Sequence, residues 1–387
     1  MKFRSKIPRQ VVLLSLVSFF TDIASEMLYP VTPIFLAVSL SASMTIIGIA
    51  EGLAEVTASL FKAYFGRLSD RIKKRSLFVI LGYTLSSIVK PLPGLIPNIS
   101  TVLAFRVVDR LGKGIRSAPR DALLASYVSN DSGRIFGFHR GMDTLGAAFG
   151  PIAALIILYF YPGEYVLIFL LAIIPSFFSV FLTFFVRDKF IDVKKRGQEK
   201  YFEFLFKTPV EYKIFLILYT IFSIANSSDV FLILKLRHDS GSEMTAILGY
   251  ITYNIVYASF SFPAGIISDK YSKKLVFTTG LLVFTVVYFG FGLVSNPILL
   301  FLCFGLYGVY SAFTEGISKA WISDLIPDKD RGSAIGLVNM LSGLGVMFGS
   351  FLSGVLWDQF GSTVPFICSA SIALFVYLLF MTLRRFR

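Results

Sequence analysis

The sequence is short of charge, cysteine and histidine. Only 16% of its 387 residues are charged, and it contains two cysteines and two histidines. A soluble domain carries about 25% charged residues, so the shortage argues against water as the surrounding solvent. Cys303 and Cys368 both lie in apolar runs, which implies packing and no disulfide framework. His139 and His238 stand apart, and no His, Cys or carboxylate spacing suggests a metal site. No cofactor is expected. No Ser/His/Asp or Cys/His nucleophile arrangement is visible. The run "DRLGKGIRS" at 109–117 lacks the Gly-x-x-x-x-Gly-Lys-Ser/Thr spacing and the preceding strand of a phosphate loop. An enzyme is therefore not expected.

What is abundant points to lipid. Hydrophobic residues make up 55% of the chain, with 41 Phe and 18 Tyr, and the mean hydropathy is +0.72. A helix needs about 20 mostly apolar residues to cross a bilayer. Twelve runs qualify, at about 11–37, 44–66, 76–96, 99–126, 135–159, 164–186, 212–235, 245–267, 275–294, 297–321, 333–356 and 362–383. The first is too long for a cleavable signal peptide and lacks a small-residue cleavage site, so it is expected to remain as a span. The separators are turn-like, such as "PGLIPN" at 93–98, "YPGE" at 161–164 and "DQFGST" at 358–363. The exception is a charged linker after the sixth span.

The net charge of +13 could suggest nucleic acid, but the basic residues fall between apolar runs and not on one water-exposed face. They follow topology instead. Lys2, Arg4, Lys6 and Arg9 precede the first span; Arg67, Arg71, Lys73, Lys74 and Arg75 join the second to the third; eight Lys and Arg occupy Arg187 to Lys213. Lys270, Lys273 and Lys274 follow the eighth span, Lys329 and Arg331 the tenth, and Arg384, Arg385 and Arg387 the twelfth. Opposite loops are nearly empty apart from Arg237. The positive-inside rule then places both termini in the cytoplasm, and no nucleic-acid partner is needed.

The chain repeats itself. "GRLSD" at 66–70 returns as "GIISD" at 265–269, and "GMDTLGAAFG" at 141–150 returns as "MLSGLGVMFG" at 340–349, both at an offset of 199 residues. Gly146 and Gly150 map onto Gly345 and Gly349. More loosely, "ASEMLY" at 24–29 faces "SSDVFL" at 227–232, aligning Glu26 with Asp229. Two six-helix halves, 1–186 and 212–387, joined by a cytoplasmic linker at 187–211, account for this. Parallel repeats of this kind place a binding site near mid-membrane.

"GRLSDRIKKRS" resembles the signature loop of the major facilitator superfamily, Gly-x-Leu-x-Asp-Arg-x-Gly-Arg-Arg, with Lys73 in place of the expected Gly. "GIISDKYSKK" resembles its weaker second copy. "GAAFGP", Gly146 to Pro151, resembles the Gly-x-x-x-Gly-Pro motif typical of that superfamily's exchangers. The runs "SFFTDIASEMLYP", "DRLGKGIRSAPRDALLA" and "ANSSDVFLILK" look like a widespread prokaryotic subgroup, for which the resemblance implies no particular substrate. The resemblance implies an all-α polytopic membrane protein of twelve transmembrane helices in two six-helix repeats, working as a monomer in the cytoplasmic (inner) membrane. Gly66, Asp70, Arg71, Arg75, Gly265 and Asp269 would then form gating loops. Asp70 would charge the start of span eleven and Asp269 that of span five, since a carboxylate is favoured at a helix N-terminus.

The stretch "RVVDRLGKGIRSAPRD", Arg106 to Asp121, holds seven charged side chains. On a helix, Arg106, Asp109, Arg110, Lys113, Arg116 and Arg120 fall within an arc of about 120°. Such a stripe must face the bundle interior or a watery cavity, because exposing each charge to lipid costs at least about 2.5–3.5 kcal/mol at the helix centre. Gly112 and Gly114 would allow close helix contact, and Pro119 would weaken the helix. The deeper residues Arg106, Arg110 and Lys113 read as cavity lining or as helix pairing; Arg116 to Asp121 read as structural, with Asp121 pairing with Arg71 or Arg75 as a latch. The superfamily's Arg-x-x-x-Gly-x-Gly pattern falls two residues from both Arg106 and Arg110, so it singles out neither.

Carboxylates inside spans are candidates for carrying protons. Asp22 and Glu26 share a face of span one, broken by Pro30 and Pro33; Glu51 and Glu55 share a face of span two; Asp143 and Arg140 lie three apart on span five. Asp229 and Lys235 lie on span seven, and Glu315 and Lys319 on span ten. A carboxyl that is buried and exposed in turn can take a proton from one side and release it to the other. A static network neutralising Arg106, Arg110, Lys113 and Arg140 is the alternative. Asn226 with Asp229, and Tyr253 with Asn254, are further cavity candidates; Tyr29, Tyr250 and Tyr257 read as packing. The expected function is alternating-access transport of a small molecule, with proton-coupled export as the first reading. Proton-driven uptake of a polar or anionic solute is the alternative, favoured if Arg106 and Arg110 line the cavity. A non-transporting receptor or a membrane enzyme is a different class, which saturable transport or chemical conversion of the solute would separate.

Overall fold

The computed structural model describes residues 7–127, 132–189, 205, 208–327 and 330–382. Lys2, Arg4, Lys6, Lys329, Arg384, Arg385, Arg387 and linker residues 190–204 lie outside them. Among the described residues there are helices and no strands. In chain order the helices are α1 (Arg9–Leu28), α2 (Val31–Val38), α3 (Met44–Ile72), α4 (Arg75–Val89), α5 (Leu92–Leu95), α6 (Ile99–Ser126), α7 (Ser132–Phe160), α8 (Tyr165–Leu171) and α9 (Ile173–Thr183). After the linker come α10 (Val210–Ala225), α11 (Val230–Ser240), α12 (Glu243–Lys270), α13 (Lys273–Leu293), α14 (Pro297–Leu325), α15 (Arg331–Phe360) and α16 (Val364–Thr382).

Pairing the fragments α1–α2, α4–α5, α8–α9 and α10–α11 leaves twelve helical spans, of which ten are long and apolar enough to cross a membrane. The other two, α6 and α12, have 28 residues each, about 42 Å at 1.5 Å per residue. Length is not their deficit: α6 carries the charged stripe, and α12 carries Asn254, Asp269, Lys270 and several hydroxyls. Large side chains such as Phe262 and Phe160 lie exposed; on a helix in a bilayer such positions meet lipid, and the helical form satisfies the backbone there.

Helix ends follow local chemistry. Asn98, Ser242, Ser272 and Asn296 accept hydrogen bonds from the first free N–H groups of α6, α12, α13 and α14. Gly241 and Gly361 close α11 and α15 with φ of +67° and +87°, a region that favours glycine. Lys73 ends α3 at φ +58°, where the superfamily motif has glycine; the left-handed backbone accounts for that preference. The break in the first span falls at Tyr29–Pro30, and Pro33 sits inside the first turn of α2. Pro119 and Pro151 lie inside α6 and α7 without ending them.

The chain divides into two compact units, Met1–Leu40 with Thr57–Lys195, and Ser41–Val56 with Arg196–Arg387. Helix α3 thus contributes its first half to the second unit. In the first unit α1 packs along α7 and α9, and α4 along α6 and α9; in the second, α10 packs along α15, and α13 along α14 and α16. The same pairing recurs at corresponding places in the two repeats. Lipid supplies no hydrophobic force between helices, so close backbone approach matters more than in water. A Cβ on Gly146 would come within 2.5 Å of the Phe19 carbonyl, and one on Gly150 within 2.7 Å of the Ile23 carbonyl. Gly345 meets Ser223 in the same way, and Gly349 meets the Ile224 carbonyl. Within the second unit, Gly48 and Gly354 bring the start of α3 against α15, where Asp358 accepts from the Met44 and Thr45 N–H groups at 2.9 and 2.8 Å.

These contacts predict a sharp positional contrast. Gly349→Ala should cost about 1–3 kcal/mol through overpacking and lower the melting temperature of the detergent-purified protein. Gly305→Ala, with nothing within 4 Å of the added carbon, should leave it unchanged. Fluorescence-detected thermal unfolding reads both, and equal melting temperatures would refute the account of close approach.

Candidate functional site

In the first unit, α1, α4 and α6 line a small polar cavity of about 30 Å³. Helix α1 contributes Asp22, Ser25 and Glu26, with Tyr29 at its end; Lys90 stands at the end of α4; α6 contributes Phe105, Arg106, Asp109, Arg110, Lys113 and Arg116. Five Lys or Arg face three Asp or Glu, a formal excess of two positive charges. Both arginines in question, Arg106 and Arg110, line it.

The stripe on α6 divides into two sets of contacts. Asp109 and Arg116 turn towards α4, where Gly82 and Gly112 let the two backbones nearly touch. Lys90 Nζ donates to Asp109 Oδ1 at 3.1 Å, with the lysine side chain 1% exposed. Arg116 Nη1 donates to Ser86 Oγ at 2.7 Å and its guanidinium lies 4.5 Å from the Tyr83 ring centre. Ser86 Oγ in turn donates to the Asp109 carbonyl at 3.0 Å. Arg106 is buried, with its guanidinium 5.5 Å from the Tyr29 ring centre. Arg120 donates to Ser18 Oγ at 2.8 Å and pairs with Asp121 at 3.0 Å.

The acids of α1 owe their position to α7. The hypothetical Cβ of Gly146 lies 3.0 Å from Asp22 Cβ, and that of Gly150 2.9 Å from Glu26 Cβ. Asp22 sits in the combined field of Asp143, Glu26, Lys113 and Arg120. Among the described residues Asp143 forms no ion pair with Arg140, which is exposed; it faces His139, whose Nε2 lies 3.7 Å from Asp143 Oδ2. The i,i+4 spacing of "HRGMD" is the sequence signal for that pair. Arg140 is not among the residues lining the cavity.

The second unit is built differently, from acids and tyrosines. Tyr307 donates to Asp229 Oδ1 at 2.6 Å, and Tyr257 to Glu315 Oε2 at 2.8 Å. Tyr253 stacks between them, its ring centre 5.1 Å from Tyr307 and 6.1 Å from Tyr257. Tyr253 and Tyr257 therefore belong to the same cluster as the acids. Ser228 Oγ donates to Glu51 Oε2 at 3.3 Å, and Asp229 also feels Glu55 and Glu315. Asn254 is turned to its own helix, donating to the Tyr250 carbonyl at 3.1 Å; Asn226 caps the end of α10. Lys235 pairs with Asp239 at 2.8 Å, away from Asp229.

Two expected pairings need correction. Asp121 pairs with its chain neighbour Arg120, and Arg75 is held by Asp70 at 2.8 Å, so neither Arg71 nor Arg75 forms the latch. The tight turn at Lys73 folds Arg75 back onto Asp70. The loose alignment of Glu26 with Asp229 also fails locally. Glu26 lies inside α1, before its break, whereas Asp229 stands at the start of α11, after the break in its span. Asp70, Asp269 and Arg71 are exposed and Gly265 partly so. Lys90 went unremarked in the sequence, although a lysine within the third apolar run, "SSIVKPLPG", is a signal in itself.

Comparison with known proteins agrees with the fold. The family model described as Major Facilitator Superfamily matches residues 14–251 and 229–387. An uncharacterised MFS-type transporter of Methanocaldococcus jannaschii is 34% identical over 358 residues, covering 91% of this chain and 89% of its own. Among solved structures, a variant of the nucleoside transporter NupG superposes with a TM-score of 0.83 at 15% identity, over 96% of this chain and 99% of its own. The POT family transporter PepTSo does so with 0.81 at 9% identity, over 97% and 98%. At such identities the structures attest the fold alone.

The Lys90–Asp109 pair yields a stability prediction. Lys90→Met alone leaves a buried carboxylate without its cation and should cost about 3–5 kcal/mol. Adding Asp109→Leu removes the stranded charge and should restore most of that loss. Thermal unfolding of the two variants checks it: a double variant no more stable than the single one would refute the pairing.

Proposed function

The chain belongs to the major facilitator superfamily, and from that premise we propose that it is a secondary transporter taking up a small anionic solute together with protons. The observation that carries this reading is the excess of cations lining the first unit's cavity, with Arg106 and Arg110 among them. An anion leaving water loses hydration worth many kcal/mol and enters readily only where fixed cations replace it. Asp22 and Glu26 compete with such a solute for the same cations. Protonating them removes the competitor, so proton and anion bind together and leave together. That is the logic of symport, and it requires no direct contact between proton and solute. The bodies that move would be the halves 1–186 and 212–387, with both termini in the cytoplasm, in the cytoplasmic membrane. Gly66, Asp70, Arg71, Arg75, Gly265 and Asp269 would form the loops that hold one closed state.

A second reading is proton-driven export. The Gly146–Gly150–Pro151 motif resembles that of exchangers, and the Asp229, Glu315, Glu51 and tyrosine cluster suits a cationic solute that competes with protons for carboxylates. The two readings differ in the sense of proton movement.

Purified protein in liposomes, with an imposed pH gradient and an internal pH dye, tests both. Small carboxylates, phosphates and ammonium compounds are added in turn. Co-entry of protons with an anion is the expected result; proton movement opposite to a cation would establish exchange instead. Glu26→Gln should lower gradient-driven accumulation by at least about tenfold while leaving the protein folded. A full rate in that variant would remove Glu26 from the coupling.

A further inference from the structure

The interface of α1 and α7 holds a second buried titratable pair, apart from Asp22 and Glu26. His139 is 4% exposed and Asp143 9%. His139 Nδ1 lies 3.3 Å from Ser15 Oγ, and Ser15 Oγ donates its own hydrogen to the Val11 carbonyl at 2.8 Å. With that hydrogen committed, the contact to His139 is made by an Nδ1–H group, so the tautomer follows from the network. The other ring nitrogen, Nε2, is then a lone pair. It faces Asp143 Oδ2 at 3.7 Å, beyond hydrogen-bonding distance. Among the described residues, Nε2 of His139 and Oδ1 of Asp143 are both buried without a hydrogen-bond partner. Buried polar groups are nearly always satisfied, and exceptions ask for a missing ligand. Nε2 and the carboxylate beside it are both acceptors, though the oxygen nearer to Nε2 is Oδ2 and the one without a partner is Oδ1; a proton carried by either group supplies the donor that the pair lacks.

The pair is continuous with the cavity acids. His139, Asp143, Gly146 and Gly150 follow one face of α7, and Ser15, Asp22 and Glu26 follow the facing side of α1 in the same order. The helices run parallel, so His139 lies roughly 16 Å along the axis from the level of Gly150 and Glu26. Asp143 lies one turn before Gly146, which meets Asp22 across the interface. The charged and titratable groups facing His139 are Arg120 and Asp121 of α6, and Arg140 and Asp143 of its own helix; α1 presents Ser15. Val11, Leu14 and Ile135 belong to an apolar cluster around the same ends of α1 and α7, which suits a stop more than an open water wire.

We propose that His139 and Asp143 form a proton station through which Asp22 and Glu26 exchange protons with the end of the unit that carries the basic loops. The carboxylic acid of Asp22 gives its proton to the Asp143 carboxylate, and Asp143 passes it to His139 Nε2, leaving two carboxylates and an imidazolium paired with Asp143. Loss of that proton restores the neutral ring. No other bond changes. The idea rests on the proton coupling proposed above and adds the route.

With only two histidines in the chain, His139 can be observed directly. The full-length His238→Gln protein, labelled with ¹⁵N in the imidazole and placed in lipid nanodiscs, is titrated from about pH 4 to about pH 8, and the ring-nitrogen shifts are followed. The expected result is one titration whose midpoint falls by about half a pH unit or more in both Asp143→Asn and Asp22→Asn. A ring that keeps one protonation state, or a midpoint indifferent to both acids, overturns the station. Transport gives a second arm, with the solute that moves protons in the liposome assay. His139→Gln should lose gradient-driven accumulation yet keep solute counterflow, and full accumulation in that variant overturns the proposal. Unaltered protein that shows counterflow but no response to a pH gradient would instead refute the coupling itself, while the titration would still decide whether His139 binds a proton.

Discussion

A charge inside a bilayer must be answered by protein or by water held within protein, and the rest of this structure depends on how the charges of α6 are answered. The helix carries too many of them to face lipid. It is accordingly enclosed on one side by α4, which supplies Lys90, Ser86 and the Tyr83 ring, and opens towards α1, which supplies Asp22 and Glu26. The pairing of Asp109 with Lys90 and the contact of Arg116 with Ser86 fix α6 against α4. The remaining cations, Arg106, Arg110 and Lys113, then face the cavity alongside the acids. The same constraint thus makes both a rigid seam and a polar site from one helix.

Glycine determines how near the answering groups can come. Gly146 and Gly150 bring α7 against α1 so closely that Asp22 and Glu26 lie on the contact, and Gly82 and Gly112 do the same for α4 and α6. Gly345 and Gly349 repeat the first arrangement in the second unit, where Ser223 and Ile224 stand at the contact in place of acids. The repeat therefore conserves geometry and varies chemistry. One unit is rich in cations; the other sets Asp229 and Glu315 among tyrosine hydroxyls.

Much of this was legible in the sequence because the signals are periodic or conformational. Spans appear as apolar runs of bilayer length, the glycine pairs appear twice at one offset, and Pro30 marks the break after α1. Lys73 stands where the backbone turns left-handed, which is why the related motif carries glycine there. The six charges of α6 within one arc are legible as one stripe; its burial is not, since Arg106, Asp109 and Arg116 are buried while Lys113 is exposed. Pairings were far less legible. Which cation meets Asp109 depends on the depth of Lys90 in a different span, and Asp121 had a partner one residue away that outcompeted the arginines of the loop. His139 and Asp143 were four apart on one face, yet the significance of that spacing depends on Ser15 from α1, which no local pattern reveals. Sequence periodicity gives the face of a helix; it does not give the height at which two helices meet.

That height decides what the cavity can do. Asp22 and Glu26 line the same cavity as the cations of α6, so in the proposed coupling they would neutralise them when ionised and release them when protonated. At 4 Å, two unit charges interact by about 4 kcal/mol in a partly shielded environment, equivalent to roughly three powers of ten in affinity. Under the proposed coupling, protonation of one carboxylate next to Lys113 or Arg110 would raise the positive excess of the site and with it the affinity for an anion. Coupling of this kind needs no large motion at the site itself; it needs acids that titrate, cations that cannot leave, and helices packed closely enough to keep both at one level. Arginine supplies the second requirement and the glycine contacts the third, so under the proposed coupling the carboxylates of α1 would be the variable element of the cycle.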